Sequence, residues 1–357
     1  MKRRLLGLIT ALLLLLTGCS ALLEREYSHV TSHNTAPTVE GDSSTLRADS
    51  YQELVNALVY LVSTGAEEGT IRLYADTENV ETFLSDACLE VVQEDPLGAY
   101  CVEFITYRVD PVVTYSQADV HITYRRTREQ VAAIVQATGV TAIRSELGSA
   151  LSSFAPERTL RIRYFEEDEA FIQELARQAY YDAPACALGM PKISVSLYPG
   201  SGRQRIVEIL LNYPLDRAEL EERQAVLAAA LEDLAGELSG QTGDALLLNA
   251  AQVLLDTGDY DPQGGSTAYD LFERGSADSE GLALAFAALC QQLELHCQVA
   301  QGTLEDEPHF WTVVQTGEGW RHLDLSAGVE GELPLYTDLQ LRELGYEWED
   351  SSLPSCV

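Results

Sequence analysis

The chain has 357 residues, 46% of them hydrophobic and 22% charged, a balance that supports two or three domains with real cores and excludes a globally disordered protein. Its formal net charge of −33 argues against a nucleic-acid partner, because binding phosphate backbone needs clustered Lys and Arg. The same acid excess suits a soluble, self-repelling surface, and charge runs of this kind are ordinarily solvated faces.

The N-terminus carries a targeting signal. Lys2, Arg3 and Arg4 form a basic start, and an apolar run follows from Leu5 to Leu16. That run is too short for a spanning helix of about 20 residues. It ends Leu16-Thr17-Gly18-Cys19-Ser20, which resembles the lipobox of bacterial lipoproteins. The resemblance implies cleavage before Cys19 and lipid attachment to Cys19. It also implies residence on the outer face of a bacterial cytoplasmic membrane, with the lipid as the membrane contact. Residues 1–18 are then a signal peptide. Of the seven cysteines, six remain beyond Cys19, an even number that permits disulfides in an exported protein. Their spacing defines no framework and no zinc pattern. Cys88 and Cys290 read as small buried hydrophobes within helices, Cys297 falls in a strand-like run, and Cys356 sits at the chain end.

Residues 19–50 are rich in Ser, Thr, Glu and Asp without an apolar period, and read as a flexible tether. His29 and His33 stand four apart there, a metal spacing on a helix but two solvated imidazoles in a tether. From Tyr51 the pattern becomes regular. A helix is predicted through Leu54, Val55, Leu58, Leu61 and Val62, then a strand at Thr70–Tyr74. A helix over Val80–Val92, stopped at Asp95-Pro96, and strands at Cys101–Tyr107 and Ala118–Arg125 follow. A helical connection near Arg128–Ala137 comes next. The same order then recurs: helix Ala142–Phe154, strand Thr159–Tyr164, helix Glu169–Tyr181, strands Lys192–Tyr198 and Arg205–Tyr213. Thr70 and Tyr124 recur at one common offset as Thr159 and Tyr213. Two similar helix–strand–helix–strand–strand units, 51–126 and 127–214, are therefore predicted; chance similarity between two α+β units is the other reading. His121 on its strand reads as structural or solvated, and Arg125, Arg126 and Arg128 as partners for local carboxylates.

Helices at Leu215–Leu238 and Asp244–Asp256, a loop at Asp259–Gly265 and a short helix at Thr267–Phe272 lead into the one stretch that looks like chemistry. A helix is predicted over Gly281–Leu295, with Asp278 and Ser279 where its N-cap belongs. Strands follow at His296–Gln301, closed by Gly302, then at Phe310–Gln315 and Trp320–Leu325. The first residues of a helix face a positive dipole end and free N–H groups, where a nucleophile is best stabilised. Strands in this order could bring the His309 imidazole to the helix tip and the Asp324 carboxylate behind it.

This segment resembles the transglutaminase-like superfamily, whose papain-like core carries Cys at a helix start, His on one strand and Asp on the next. The family pattern is roughly C-x-G-Y-A, a leucine-rich helix, a glycine, H-A-W, and G-x-W-x-x-x-D. Here it is met by Ser279-Glu280-Gly281-Leu282-Ala283, Gly302, His309-Phe310-Trp311 and Gly319-Trp320-Arg321-His322-Leu323-Asp324. The resemblance implies an α+β protein whose residues 215–357 are a transglutaminase-like, papain-type domain with Ser279, His309 and Asp324 in the triad positions. Trp311 and Trp320 would wall the cleft, and no cofactor or metal is expected. His322, two residues before Asp324, reads as an exposed histidine or a second polar group in the cleft.

The departure is Ser279, where the family carries its nucleophilic cysteine. A hydroxyl is far less acidic than a thiol, so a helix tip and an imidazole cannot hold it ionised at rest; it needs concerted deprotonation by His309, with Asp324 orienting the ring. Two readings follow. One is a surface lipoprotein with a catalytically degenerate domain that binds a peptide or cell-wall component or scaffolds a partner. The other is a serine-type amide hydrolase or acyltransferase.

Overall fold

A computed structural model describes residues 37–39, 45–74, 79–327 and 333–357. The signal region, Cys19, His29 and His33 lie outside these residues. No described helix is long and apolar enough to cross a membrane. The chain divides into two compact units. One runs to Val91 and includes Ile105–Ile122; the other holds Val92–Phe104 and Thr123–Val357.

The first unit begins with β1 (Thr38–Val39) and β2 (Thr45–Ala48), followed by α1 (Tyr51–Ser63), β3 (Glu68–Leu73) and α2 (Val80–Gln93). After α3 (Pro96–Cys101), which belongs to the other unit, come β4 (Val102–Val112) and β5 (Tyr115–Tyr124). The sheet order is β1-β2-β3-β5-β4. Strand β2 runs parallel to β3, and β5 antiparallel to it. Alternation drives this layer: Ser116, Ala118, Val120 and Ile122 of β5 turn inward, under α1 with its buried Leu54, Val55, Leu58, Leu61 and Val62. Ser50 caps α1 by accepting the Glu53 N–H at 3.3 Å.

Two expectations change here. Residues 45–48, taken as the end of the tether, form a strand with Leu46 and Ala48 buried. Four residues are too few for alternation to stand out against a polar background. Cys101 closes a helix and does not open a strand. Asp95-Pro96 reads as a stop signal, but it is also a start: Asp95 accepts the Gly98 N–H at 2.8 Å and Pro96 occupies the first helical turn.

The second unit holds α4 (Arg128–Ala132), β6 (Val135–Ala137), α5 (Val140–Ser152), β7 (Glu157–Arg163), α6 (Glu169–Asp182), β8 (Lys192–Tyr198) and β9 (Gln204–Asn212). The helical connection expected over Arg128–Ala137 is thus one helical turn and a strand. The sheet order is β6-β7-β9-β8, with β6 parallel to β7 and the remaining pairs antiparallel. In the sheet of the first unit β2 and β3 are likewise parallel, and β3 and β5 antiparallel. Helix α3 lays Tyr100 edge-on against Tyr198, ring centroids 5.5 Å apart. Beside it Arg126 pairs with buried Glu208 at 2.7 Å, a carboxylate far along the chain and not a local one.

Beyond this sheet lie α7 (Arg217–Glu237), α8 (Gly243–Thr257), β10 (Asp259–Gly265), α9 (Ala268–Arg274), β11 (Ser276–Ala277) and α10 (Ser279–Gln292). After them come β12 (Cys297–Leu304), β13 (Glu307–Thr316), β14 (Gly319–Leu323), α11 (Asp338–Glu343) and β15 (Tyr346–Glu347). The stretch expected as a loop at Asp259–Gly265 is a strand, paired in parallel with the two-residue β11. The final sheet is antiparallel in the order β14-β13-β12-β15. One hydrophobic core runs unbroken from Ala137 and the β6–β9 sheet through α7, α8 and α10 to Leu325. A smaller cluster of Ala300, Trp311, Val313, Leu341, Tyr346 and Cys356 joins the last sheet to the C-terminal segment. Cys356 is therefore buried and not at a frayed end.

Gly302 does not end its strand. A Cβ there would run into the carbonyl oxygen of Glu347 and come within 2.8 Å of the Trp311 ring, so glycine is what lets β15 lie against β12. Gly302→Ala is expected to destabilise this unit by about 1–3 kcal/mol through overpacking, read as a lowered urea midpoint; an unchanged midpoint would show that β15 is free to move away.

Candidate active site

Helix α10 positions the first site residue. Asp278 caps it, accepting the Gly281 N–H at 2.9 Å and the Ser266 hydroxyl proton at 2.5 Å. Ser279 is thereby the first residue of the helix and not its cap. Among the described residues nothing accepts the backbone N–H of Ser279 or Glu280, so two donors and the positive helix end converge here. Gly281 carries no side chain because a Cβ would meet the Gly265 carbonyl oxygen at 2.6 Å. Eleven of the helix's fourteen residues are buried, from Leu282 through Cys290 without a break.

His309 and Asp324 come from β13 and from the residue just after β14. The His309 Nε2 and Asp324 Oδ2 are 2.7 Å apart. His309 is 6% exposed and Asp324 3%. Burial alone would raise the Asp324 pKa, but hydrogen bonds and charge from His309, with further hydrogen bonds from Tyr346 and Ser326, hold it below the usual aspartate value. A carboxylate only accepts, so Nε2 carries the proton and Nδ1 is the ring's one basic nitrogen. Trp311 lies nearly parallel to the imidazole, 6.3 Å between centroids.

Ser279 lines a narrow crevice with Leu282, Ala283, Phe310, Trp311, Thr312, Leu323, Asp324 and Leu325, too tight to hold a water molecule. Its Oγ accepts the Phe310 N–H at 3.3 Å. No hydrogen bond joins Ser279 to the His309 ring among the described residues. Trp311 lines this pocket. Trp320, expected beside it, does not; it pairs with Gln315 at the far end of β14 and packs against the smaller cluster.

His322 is fully buried, contrary to its reading as an exposed histidine. Its Nδ1 accepts from Trp311 Nε1 at 2.9 Å and its Nε2 faces Asp338 Oδ1 at 2.9 Å. Burial lowers its pKa, against the opposing pull of Asp338. With Asp338 and Cys356 it makes a group whose ligand atoms lie within 4.8 Å of one another, a spacing a metal could use. The polarity does not fit one. Indole N–H only donates, so Nδ1 must be the lone-pair nitrogen, and Nε2 keeps the proton that it gives to Asp338. A metal on Nε2 would need both ring nitrogens bare. The Cys356 thiol, pushed up to about 12 chiefly by burial, is also far from the thiolate a metal takes. His121, by contrast, is half-exposed, 3.8 Å from Glu68.

Three neighbours escaped the sequence reading. Ser326 gives its N–H and hydroxyl to Asp324 Oδ1, at 2.8 and 2.7 Å; the Asp-x-Ser spacing is a turn signal that could have flagged it. Tyr346 donates to Asp324 Oδ2 at 2.6 Å, and nothing in its local sequence announces that. Tyr181 of α6 donates to Glu280 Oε1 at 2.9 Å and packs on Phe310, 5.7 Å between centroids. The preceding α+β layer therefore forms part of the wall beside Ser279.

Residues 233–325 match the profile of the transglutaminase-like superfamily. The C-terminal part of this chain therefore holds a transglutaminase-like domain. Ser279 and His309 lie within the matched residues, and Asp324 stands near their end. No curated protein matches the chain. Among solved structures it is similar to one described as a TGase, at 14% identity over 68% of this chain and 69% of that one, with a TM-score of 0.28. A protein from Cytophaga hutchinsonii, provisionally named a cysteine protease, matches at 11% identity over 41% and 65%, TM-score 0.26. A provisionally named protease from Parabacteroides distasonis matches at 9% over 73% and 44%, TM-score 0.21.

Glu280 titrates where pH matters. Burial first, then the charge of Asp278, push it up to about 7, although its bond to Tyr181 works the other way. A raised carboxyl contributes its stability in full below the unfolded value near 4.5 and loses it as pH rises through about 7. Glu280→Gln cannot ionise and still offers Tyr181 an oxygen. Its melting temperature should exceed the parent's by more at pH 8 than at pH 5, by roughly 2–4 °C for each kcal/mol recovered. Equal differences at both pH values would refute the buried-carboxyl account.

Proposed function

We propose that this chain is a lipid-anchored envelope protein whose transglutaminase-like domain binds or scaffolds and does not turn over substrate. The observation that carries this reading is Ser279. Its Oγ accepts a backbone N–H from β13 and makes no hydrogen bond with His309, so the serine is not coupled to its base. An uncoupled hydroxyl remains a poor nucleophile at neutral pH, because only concerted proton removal would activate it. The buried positions of Ser279, His309 and Asp324 add to this, since a substrate carbonyl needs room beside the oxygen. The partner would be a peptide or cell-wall component. Anchoring through Cys19 on the outer face of a bacterial cytoplasmic membrane rests on the basic start, the short apolar run and the Leu-Thr-Gly-Cys sequence.

A second reading, an amide hydrolase or acyltransferase acting through Ser279, draws on the His309–Asp324 pair. That pair is oriented as a base and its anchor, beside two unpaired N–H groups able to meet a developing oxyanion. One experiment decides between them. The full chain, Ser279→Ala and Ser279→Cys are treated with a fluorophosphonate and, separately, with iodoacetamide. The binding reading expects no fluorophosphonate label in the parent chain and alkylation at residue 279 only in Ser279→Cys. Labelling of the parent at Ser279, abolished in Ser279→Ala, would establish the serine enzyme.

A further inference from the structure

The matched domain ends at residue 325, yet the site does not. Asp324 receives four hydrogen bonds. Ser326 fills Oδ1 with its N–H and hydroxyl, and His309 and Tyr346 share Oδ2 at 2.7 and 2.6 Å. A carboxylate offers about four lone-pair directions, so this one is saturated. Three of the donors are near in sequence or on the adjacent strand. The fourth comes from β15, and its ring does more than donate. It stands edge-on to His309, centroids 5.6 Å apart, and edge-on to Trp311 at 5.3 Å. Tyr346 thus touches the imidazole, the carboxylate and the indole behind them, and is 4% exposed.

The segment that delivers Tyr346 is strapped down at both ends. Strand β15 pairs with β12 through Leu304↔Tyr346 and Thr303↔Glu347. Upstream, Tyr336 and His322 exchange backbone hydrogen bonds at 2.9 Å. At the start of α11, Asp338 takes the His322 ring proton and the Cys356 N–H, while its own N–H goes to the Cys356 carbonyl at 2.8 Å. Arg321 holds the Val357 carbonyl at 2.6 Å. These ties run to β12 and β14, and they hold in place the segment whose Tyr346 reaches Asp324 and His309.

We propose that Tyr346 is a positioning residue for the His309–Asp324 pair and that residues 333–357 are a strap completing the site from outside the matched domain. The hydroxyl shares the charge of Oδ2, fixing the carboxylate plane and with it the imidazole. This holds whether Ser279 reacts or only lines a binding cleft, so it stands or falls apart from the proposed function.

The test is nuclear magnetic resonance of the full chain carrying ¹⁵N-labelled histidine, comparing the parent with Tyr346→Phe; His309→Gln and His322→Gln assign the signals. Removing the hydroxyl leaves the Asp324 charge less dispersed and more dependent on the imidazole. The midpoint of the His309 titration should therefore rise by about half a pH unit or more. The His322 ring, tied to Trp311 and Asp338, should keep its Nε2–H signature. Tyr346→Leu, which also lacks the hydroxyl, should do the same should the phenylalanine variant fail to fold. Superimposable His309 curves would overturn the proposal. Equal disturbance of His309 and His322 would also overturn it, by showing that Tyr346 only holds the strap in place.

Discussion

The constraint on which this unit depends is the near-total burial of one helix. Helix α10 has no solvated face along Leu282–Cys290, and a helix apolar all round is stable only when covered on every side. The α+β layer, α7, α8 and the last sheet supply that cover, which is why their side chains merge into a single core. The cost is geometric. The helix meets polar surroundings only at its two ends, and at the site end Asp278, Ser279 and Glu280 carry its polarity. The N-terminal dipole end then acts on whatever stands at residue 279. The site is where it is because the rest of the helix has to be buried.

Two histidines on adjacent strands show how donors, not residue type, set the chemistry. His309 meets an acceptor at Nε2 and is left with one basic nitrogen. His322 meets a donor at Nδ1, from Trp311, and an acceptor at Nε2, from Asp338. Both of its nitrogens are occupied, and protonation would set an N–H against the indole N–H. Burial makes the second ring harder to protonate than a free imidazole. Trp311 joins them, stacked beside one imidazole and bonded to the other, so that the apolar wall of the pocket and the strap behind it share a side chain. Truncating this tryptophan would disturb the site and the C-terminal segment together.

Much of this was legible in the chain itself, for reasons specific to each part. Helix α10 announces itself by a long apolar run with Asp278 at its head. The strands carrying His309 and Asp324 show alternation, and the spacing of Ser279, His309 and Asp324 places them in order. What escaped depends on contacts far apart in sequence. Strands β2 and β6 are four and three residues long, too short for a period, and form because a parallel neighbour is available. Strand β10 is hidden by its Gly and Pro content. Tyr346 sits in a two-residue strand whose partner lies on β12. His322 looked exposed because its strand neighbour Arg321 is polar and the segment that buries it arrives only after Tyr336. Trp320 looked like a cleft residue because the family pattern places it near Asp324, but the run of β14 carries it to the other end of the strand.

The serine at 279 is easier to understand in this setting. Acyl transfer needs a nucleophile, a base and an oriented carboxylate acting as one unit. Here the carboxylate is saturated, the imidazole tautomer is set and the helix tip offers two free N–H groups. All of that is costly to maintain, since it keeps an anion and a histidine inside a core. The parts hold one another: Asp324 needs His309, Ser326 and Tyr346 to remain buried as an anion. Losing any of them would leave the buried carboxylate short of a donor, whereas no hydrogen bond to Asp324 comes from residue 279 among the described residues. Fold stability therefore constrains His309 and Asp324 far more strongly than it constrains residue 279.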